Sequence, residues 1–260
     1  MTKNKATVGV VVHNEESTLV RCLDSFQSIV DEIIIVHDGQ CSDQSLEIAN
    51  RYTKKVYVRD WKGTCEGHFN FIKDNARNDW IIIVDADEYF SDELREKLPE
   101  LLSDEIVSCY ELYWPTCYRD RQLKLGIDRK FYKRVMFRKK DVDFKGYLHE
   151  SRKVSGIVKK IDIPLIHRPS SDIFSSEYLA KKVEWAKVGA KMRSETQTLK
   201  SRYYYLFKAP IWFIFYVLYY LIARAYLISG RLGINYALTF AKYNFYLNIY
   251  LYKIANGEKI

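Results

Sequence analysis

Apolar residues in the first half of the chain come in short blocks, each running into a polar patch. "TVGVVV" (7–12) is a β-branched run that stops at "HNEES". "EIIIVHDG" (32–39), "KVYVRD" (55–60) and "WIIIVDAD" (80–87) repeat the pattern. Blocks of this length, apolar throughout, predict strands buried on both faces. Between them the spacing is helical. Leu19, Leu23, Phe26 and Val30 follow Ser17, a candidate cap, and Leu46, Ile48 and Ala49 follow Ser42. "GHFNFIKDNAR" (67–77) predicts a third helix, and Ser91 opens a fourth, "SDELREKLPELL". Strand and helix alternating at this spacing predict an α/β domain with a mostly parallel sheet covered by helices. "IVSCYELYW" (106–114) and "KRVMFRK" (133–139) predict later, more exposed strands.

Open sheets of this kind bind ligands beyond the carboxyl ends of their strands. Polar residues collect there: His13, Asn14, Glu15 and Glu16 after the first block, His37 and Asp38 after the second, Asp60 after the third, and Asp85, Asp87 and Glu88 after the fourth. No G-x-G-x-x-G and no G-x-x-x-x-G-K-[ST] occurs, which excludes a dinucleotide fingerprint and a P-loop. If the chain stays extended through 85–87, Asp85 and Asp87 point the same way and Ala86 the other. Two carboxylates so close need a cation, and oxygen ligands suit Mg²⁺ or Mn²⁺ shared with phosphate oxygens. The competing reading is a helix N-terminal acid cluster, since Asp92 and Glu93 follow.

Charge divides the chain. Residues 1–150 carry 23 Lys+Arg and 27 Asp+Glu, whereas 151–260 carry 18 and 6. Twelve of the 21 tyrosines lie after residue 200. A basic, aromatic half suits a nucleic acid or an anionic membrane surface. The uncharged run from Ala209 to Ala223 in "APIWFIFYVLYYLIARAYLISG" decides for the membrane, because a nucleic-acid surface has no use for it. A second segment, 235–254, is less apolar and places Asn244 and Asn248 on one face. The pair could lie on a membrane, span it, or bury itself in a homo-oligomer. Five cysteines without a C-x-x-C spacing argue against a disulfide framework or a zinc site. "VGVVV" is too short for a signal-peptide core, so the N-terminus is expected to stay in the cytoplasm.

The string "VVVHNEES…LDSF…DEIIIVHDGQCSDQSLEIA…GHFNFIKDNARNDWIIIVDADEYF" resembles the family 2 glycosyltransferases of the GT-A fold, a Rossmann-like architecture. The bacterial branch acting on lipopolysaccharide cores and surface glycans is the most similar. The resemblance covers residues 6 to about 170 and implies a nucleotide-sugar-binding and catalytic domain over 1–170; the composition beyond it predicts a helical connector over 171–208 and an aromatic, basic membrane-association or oligomerisation region over 209–260. It implies that Asn14, Glu15 and Asp38 contact the base and ribose of a nucleotide sugar, most simply a UDP-sugar. Asn70 and Lys73 border the nucleotide, Asp85 lies by ribose and phosphates, and Asp87 binds Mn²⁺ or Mg²⁺. In "FKGYLHESR" (144–152), Glu150 is the expected base and His149 meets the acceptor; a surface Glu paired with Arg152 or Lys153 is the alternative. His167 supplies a further metal contact, meets the diphosphate, or is a core histidine, and Arg168 could neutralise the leaving diphosphate.

The chain departs from the family pattern in three places: Val12-His13 precede Asn14, the second loop has one extra residue, and Phe69 stands where a basic residue is common. "YRDRQLKLGIDRKFYKR" (118–134) is expected as a charged loop over the site. The implied activity is inverting transfer to a lipopolysaccharide, glycolipid or other surface-glycan acceptor at the cytoplasmic face of a bacterial inner membrane. Two rivals are a silent nucleotide-sugar-binding scaffold and a nucleotidyltransferase, whose Gly-rich N-terminal loop is absent.

Overall fold

The computed structural model describes residues 4–118, 121–124, 126, 130–146, 152–169 and 174–260. It divides into two compact units, one formed by residues 1–123 and 130–170, the other by 124–129 and 171–260. Each is described by itself.

The first unit is built on one eight-stranded sheet. Its strands are β1 (Asn4–Val12), β2 (Val30–Asp38), β3 (Val56–Arg59), β4 (Trp80–Asp85), β5 (Glu88–Phe90), β6 (Val107–Tyr113), β7 (Tyr132–Arg138) and β8 (Ile157–His167). Their order is β3-β2-β1-β4-β7-β6-β8-β5. β3, β2, β1 and β4 run parallel, as does β6 with β8; β7 is antiparallel to both its neighbours, and β5 to β8. The expected GT-A-like, mostly parallel sheet flanked by helices is therefore present. Helices α1 (Glu16–Asp24), α2 (Ser45–Tyr52), α3 (Phe69–Asn75) and α4 (Asp92–Ser103) follow the early strands.

Two cores fill the faces of the sheet. One gathers Val8, Val10, Val12, Leu19, Ile35, Ile82 and Val84; the other gathers Val11, Ile34, Val36, Phe69, Ile72, Ile81 and Ile83. This is why β1, β2 and β4 have no alternation: odd and even residues each meet a core. Gly9 lets α3 approach closely, since a Cβ there would stand 2.4 Å from Ile72 Cγ2 and 3.1 Å from Ile83 Cδ1.

Several local expectations are revised. Val30 opens β2 rather than continuing α1. α1 starts at Glu16 and α2 at Ser45, so neither Ser17 nor Ser42 is the cap; instead Asp43 Oδ1 accepts the Ser45 N–H at 2.9 Å. Ser91 does cap α4, its Oγ accepting from the Leu94 N–H at 3.1 Å. The predicted helix over 67–77 is a 3-10 turn, Cys65–His68, followed by α3. The C-terminal end of the expected charged loop, from Tyr132, is strand β7.

The second unit is helical: α5 (Ser176–Thr196), α6 (Arg202–Leu218) continuing as a π turn through Ala223, and α7 (Gly230–Ala255). α7 packs along both others, around Ala186, Ala190, Tyr205, Leu247 and Leu251.

The Gly9 contact carries a prediction. Gly9→Ala overpacks the seam between α3 and the sheet and costs about 1–3 kcal/mol. The same change in an Ile72→Ala background costs less than half as much. Urea unfolding of the four proteins checks this; equal costs in both backgrounds would contradict it.

Candidate active site

The parallel register brings strand ends to one rim. Val11 pairs with Asp85 on one side, and Val12 pairs with His37 on the other. β7 runs the opposite way, so it begins at this rim. Its last pair with β4 is Met136 with Ile82, and three residues further along each strand stand Lys133 and Asp85. Lys133 Nζ reaches Asp85 Oδ2 and Glu88 Oε1, both at 2.6 Å.

Glu88 is fully buried. Its carboxylate also accepts the Trp114 indole N–H at 2.5 Å and the Asp85 backbone N–H at 2.9 Å. That last bond curls the chain. β4 ends at Asp85, and Ala86 and Asp87 form a turn, so the extended 85–87 expected from the sequence is replaced by a tight reversal. Ala86 is driven into the core. Burial pushes the Glu88 carboxyl up, Lys133 opposes this, and Asp85 adds to it; the net direction is up. Burial acts the same way on Asp85, but the charge and hydrogen bond of Lys133 outweigh it and hold Asp85 below its ordinary value. Lys133 itself is held protonated, with the two carboxylates overcoming its own burial.

Asp87 faces a different partner. Its Oδ2 lies 3.2 Å from His167 Nε2, and His167 Nδ1 lies 3.0 Å from Thr116 Oγ1. The imidazole stacks on Trp114 at 4.3 Å between ring centroids. Backbone bonds fix the same corner: Arg168 N–H donates to the Asp87 carbonyl at 2.9 Å, and His167 N–H to that of Pro115 at 2.9 Å. Two tautomers satisfy this geometry. If Nδ1–H donates to Thr116, the Nε2 lone pair faces a carboxylate oxygen, and a cation between the two is the natural complement. One oxygen and one nitrogen donor, with the second ring nitrogen tied to a hydroxyl, fit a divalent ion that keeps other positions for phosphate and water. Among the described residues no group of three or more His, Cys, Asp or Glu is arranged as a metal site, so phosphate or water would complete the shell.

The structure also locates the other expected residues. Asn14 adopts a positive φ of 55°, and its Oδ1 accepts the Ser42 N–H at 2.8 Å, tying the first loop to the second. The Glu15 N–H donates to Ser45 Oγ at 2.8 Å. Asp38 is buried. Its carboxylate accepts the Lys62 and Gly63 N–H groups at 2.6 and 3.1 Å and His68 Nε2–H at 2.8 Å. It therefore shapes the 60–63 loop from below. On that loop Trp61 is exposed and lies 4.5 Å, centroid to centroid, from the exposed His13 ring. Asn70 donates to the Phe144 carbonyl, while its Oδ1 is buried with no partner among the described atoms. Lys73 is half-buried on α3. His149 and Glu150 lie outside the described residues.

The chain is also similar to proteins of known family. The model of Glycosyl transferase family 2 matches residues 7–162. The chain belongs to that family. An uncharacterized glycosyltransferase of Rickettsia typhi is 31% identical over 109 residues, 42% of this chain and 37% of that protein. The chain thus spans well under half the length of that relative. The lipopolysaccharide core biosynthesis glycosyltransferase LpsC of Rhizobium meliloti is 26% identical over 220 residues, 79% of this chain and 77% of LpsC. Among solved structures, S. aureus TarS 1-349 in complex with UDP superposes with a TM-score of 0.50 at 12% identity, covering 98% of this chain and 92% of that one. That likeness is one of fold.

Within this family 2 chain, three rim residues escaped the sequence reading. Lys133 was hidden because strand direction places it, and no local pattern reveals strand direction. Thr116 and Trp61 carry no motif; only their loops' proximity to His167 and His13 makes them part of the rim.

The Lys133 cluster predicts a pH-dependent penalty. Lys133→Met leaves Glu88 and Asp85 uncompensated and destabilises the protein by about 3 kcal/mol near neutral pH. As pH falls, the stranded Glu88 carboxyl, already pushed up by burial, takes up a proton and the penalty shrinks. In the wild type, the share of stability due to Asp85 is present above about pH 4 and is lost as pH falls through its lower folded value. Urea unfolding of both proteins at two pH values checks this; a penalty unchanged by pH would contradict it.

Proposed function

We propose that the chain is a metal-dependent, inverting glycosyltransferase that moves a sugar from a nucleotide diphosphate, a UDP-sugar, to a lipopolysaccharide, glycolipid or other surface-glycan acceptor. Family membership supports transfer chemistry, and the likeness to LpsC over most of both chains supports the acceptor class. The observation that carries the reading is the Asp87–His167 pair beside the Lys133-neutralised Asp85. It leaves one carboxylate and one imidazole at the rim for a cation, with a second carboxylate fixed next to them.

In this reading His13 and Trp61 offer ring faces to the base. Asn14 and Glu15 meet base and ribose, and Asp38 serves that pocket through the loop it holds. Asn70 and Lys73 border the nucleotide from α3, and Asp85 lies by the ribose and phosphates. Asp87 and His167 hold Mn²⁺ or Mg²⁺, which when bound neutralises charge on the leaving diphosphate. An acceptor hydroxyl oxygen attacks the anomeric carbon from the face opposite the diphosphate. The carbon–oxygen bond to phosphate breaks, the nucleoside diphosphate leaves with the electron pair, and the hydroxyl proton passes to the Glu150 carboxylate. His149 positions the acceptor. The apolar helices after residue 200 attach the enzyme to the cytoplasmic face of a bacterial inner membrane, where a lipid-linked acceptor resides.

A thermal-shift panel of UDP, GDP, CDP, ADP and dTDP, with and without Mn²⁺, tests this. UDP with Mn²⁺ is expected to raise the melting temperature by about 5 °C at saturating ligand. Asp87→Ala abolishes the shift, whereas Glu150→Gln keeps it and loses turnover of the UDP-sugar. No shift with any nucleotide would overturn the reading; a shift with an inert wild type would favour a binding scaffold.

A further inference from the structure

Helix α6 with its π turn is the only segment among the described residues that is long and apolar enough, by composition, to cross a bilayer. Composition leaves open whether it crosses one or lies along its surface. The packing of the helical unit decides between these.

α6 buries one side, with Tyr205 and Ala209 in the unit's interior. Its other side is apolar and bare. Phe207, Ile211, Ile214 and Ile222 are 66%, 65%, 60% and 70% exposed, and Tyr203 and Leu218 complete the stripe. These six positions recur at intervals of three or four residues, so they share one helix face. The stripe is about 30 Å long at 1.5 Å per residue. Leu227 and Ile228 extend the bare apolar surface into the following turn.

α7 runs antiparallel along the covered side of α6. Arg202 Nη1 donates to Asn256 Oδ1 at 2.6 Å at one end, and Phe213 meets Phe245 and Tyr220 meets Phe240 further along. α5 packs on α7 in turn. The bare stripe of α6 is apolar, whereas α5 exposes Lys181, Glu184, Lys191, Arg193 and Glu195. The unit thus has a graded section, apolar at α6 and charged at α5.

That grading argues against a crossing. If α6 spanned a bilayer, α7 alongside it would span too, and the exposed Lys242 lies at the middle of α7. A bare ammonium at mid-bilayer is strongly disfavoured, and the charged α5 would be drawn in behind it. Lying flat removes the conflict. The stripe enters the acyl boundary, α7 sits above it, and the charges of α5 stay in water. Basic residues stand where headgroups would be: Lys200 and Arg202 at one end of α6, Arg224 and Arg231 at the other. Lys208 lies along its own helix, with Nζ 5.2 Å from the Tyr204 ring centroid and 5.3 Å from that of Trp212, a snorkelling posture.

We infer that α6 is an in-plane, monotopic anchor for an anionic bilayer. Tyr203, Phe207, Ile211, Ile214, Leu218 and Ile222 are its immersed face, and the α6–α7 turn stays on the side from which the protein binds. This rests on the membrane-attachment part of the proposed function and is independent of the sugar chemistry.

The test adds the 260-residue protein to sealed vesicles made of equal parts phosphatidylcholine and phosphatidylglycerol, and separately to phosphatidylcholine alone. Cosedimentation is expected with the anionic vesicles, and Ile214→Asp with Leu218→Asp should cut partitioning about tenfold or more. Topology is read on Tyr246→Cys, on the same exposed face of α7 as Lys242, by a membrane-impermeant maleimide applied outside, taking the increment over the wild type. The in-plane anchor predicts the same labelling of the introduced thiol with and without vesicles. Cosedimentation with that thiol protected would overturn it in favour of a span. Failure to bind either vesicle, with the bare face closing a dimer in sedimentation velocity, would overturn the membrane reading itself. The unfolding midpoint of the double variant checks that it folds.

Discussion

A lysine ammonium held between two carboxylates organises the rim of the first unit. Glu88 is fully buried and Asp85 stands at the top of a core strand. Without Lys133 those charges would lie next to each other and next to Asp87, and at least one would have to take up a proton. With it, Asp85 stays ionised, Glu88 is saturated with donors, and the chain turns sharply so that Asp87 leaves the strand and meets His167. The cluster that reads as three equivalent acids in "VDADE" is thus divided by role. Two carboxylates are neutralised by Lys133, and the third meets His167.

The antiparallel β7 makes this division available. A wholly parallel sheet brings only strand ends to its functional rim, whereas a reversed strand brings a beginning there and with it Lys133. β8 then delivers His167, and the β6–β7 connection delivers Trp114 and Thr116 beneath the imidazole. On the other side of β1, buried Asp38 fixes the 60–63 loop through two backbone amides and His68, which sets Trp61 beside His13. Structural carboxylates place the loops, and the loops carry the groups that face solvent.

Much of this was legible in the sequence where physics is local. β1, β2 and β4 announce themselves because both faces are covered and every residue is apolar. The rim follows from strand order, and the family from its motifs. The pairing of Asp87 with His167 joins two residues singled out separately, 80 positions apart. What could not be read was non-local. Strand direction decides Lys133, and a side-chain bond from Glu88 to a backbone amide converts an expected extended segment into a turn. The helix starts shifted because Asp43, rather than Ser42, supplies the oxygen at the start of α2. In the helical unit, sequence supplied the apolar run, but only packing shows that one face is bare and that a lysine sits midway along its neighbour.

The central expectation is that Asp87 and His167 act together on a divalent ion. Electron paramagnetic resonance of Mn²⁺ titrated into the protein with UDP reads this directly, because free hexaaqua Mn²⁺ gives a sharp signal that disappears on binding. The prediction is one ion bound per chain in the presence of UDP, lost in Asp87→Ala and weakened at least about tenfold in His167→Ala. Binding by both variants as tight as in the wild type would contradict the account and place the ion elsewhere.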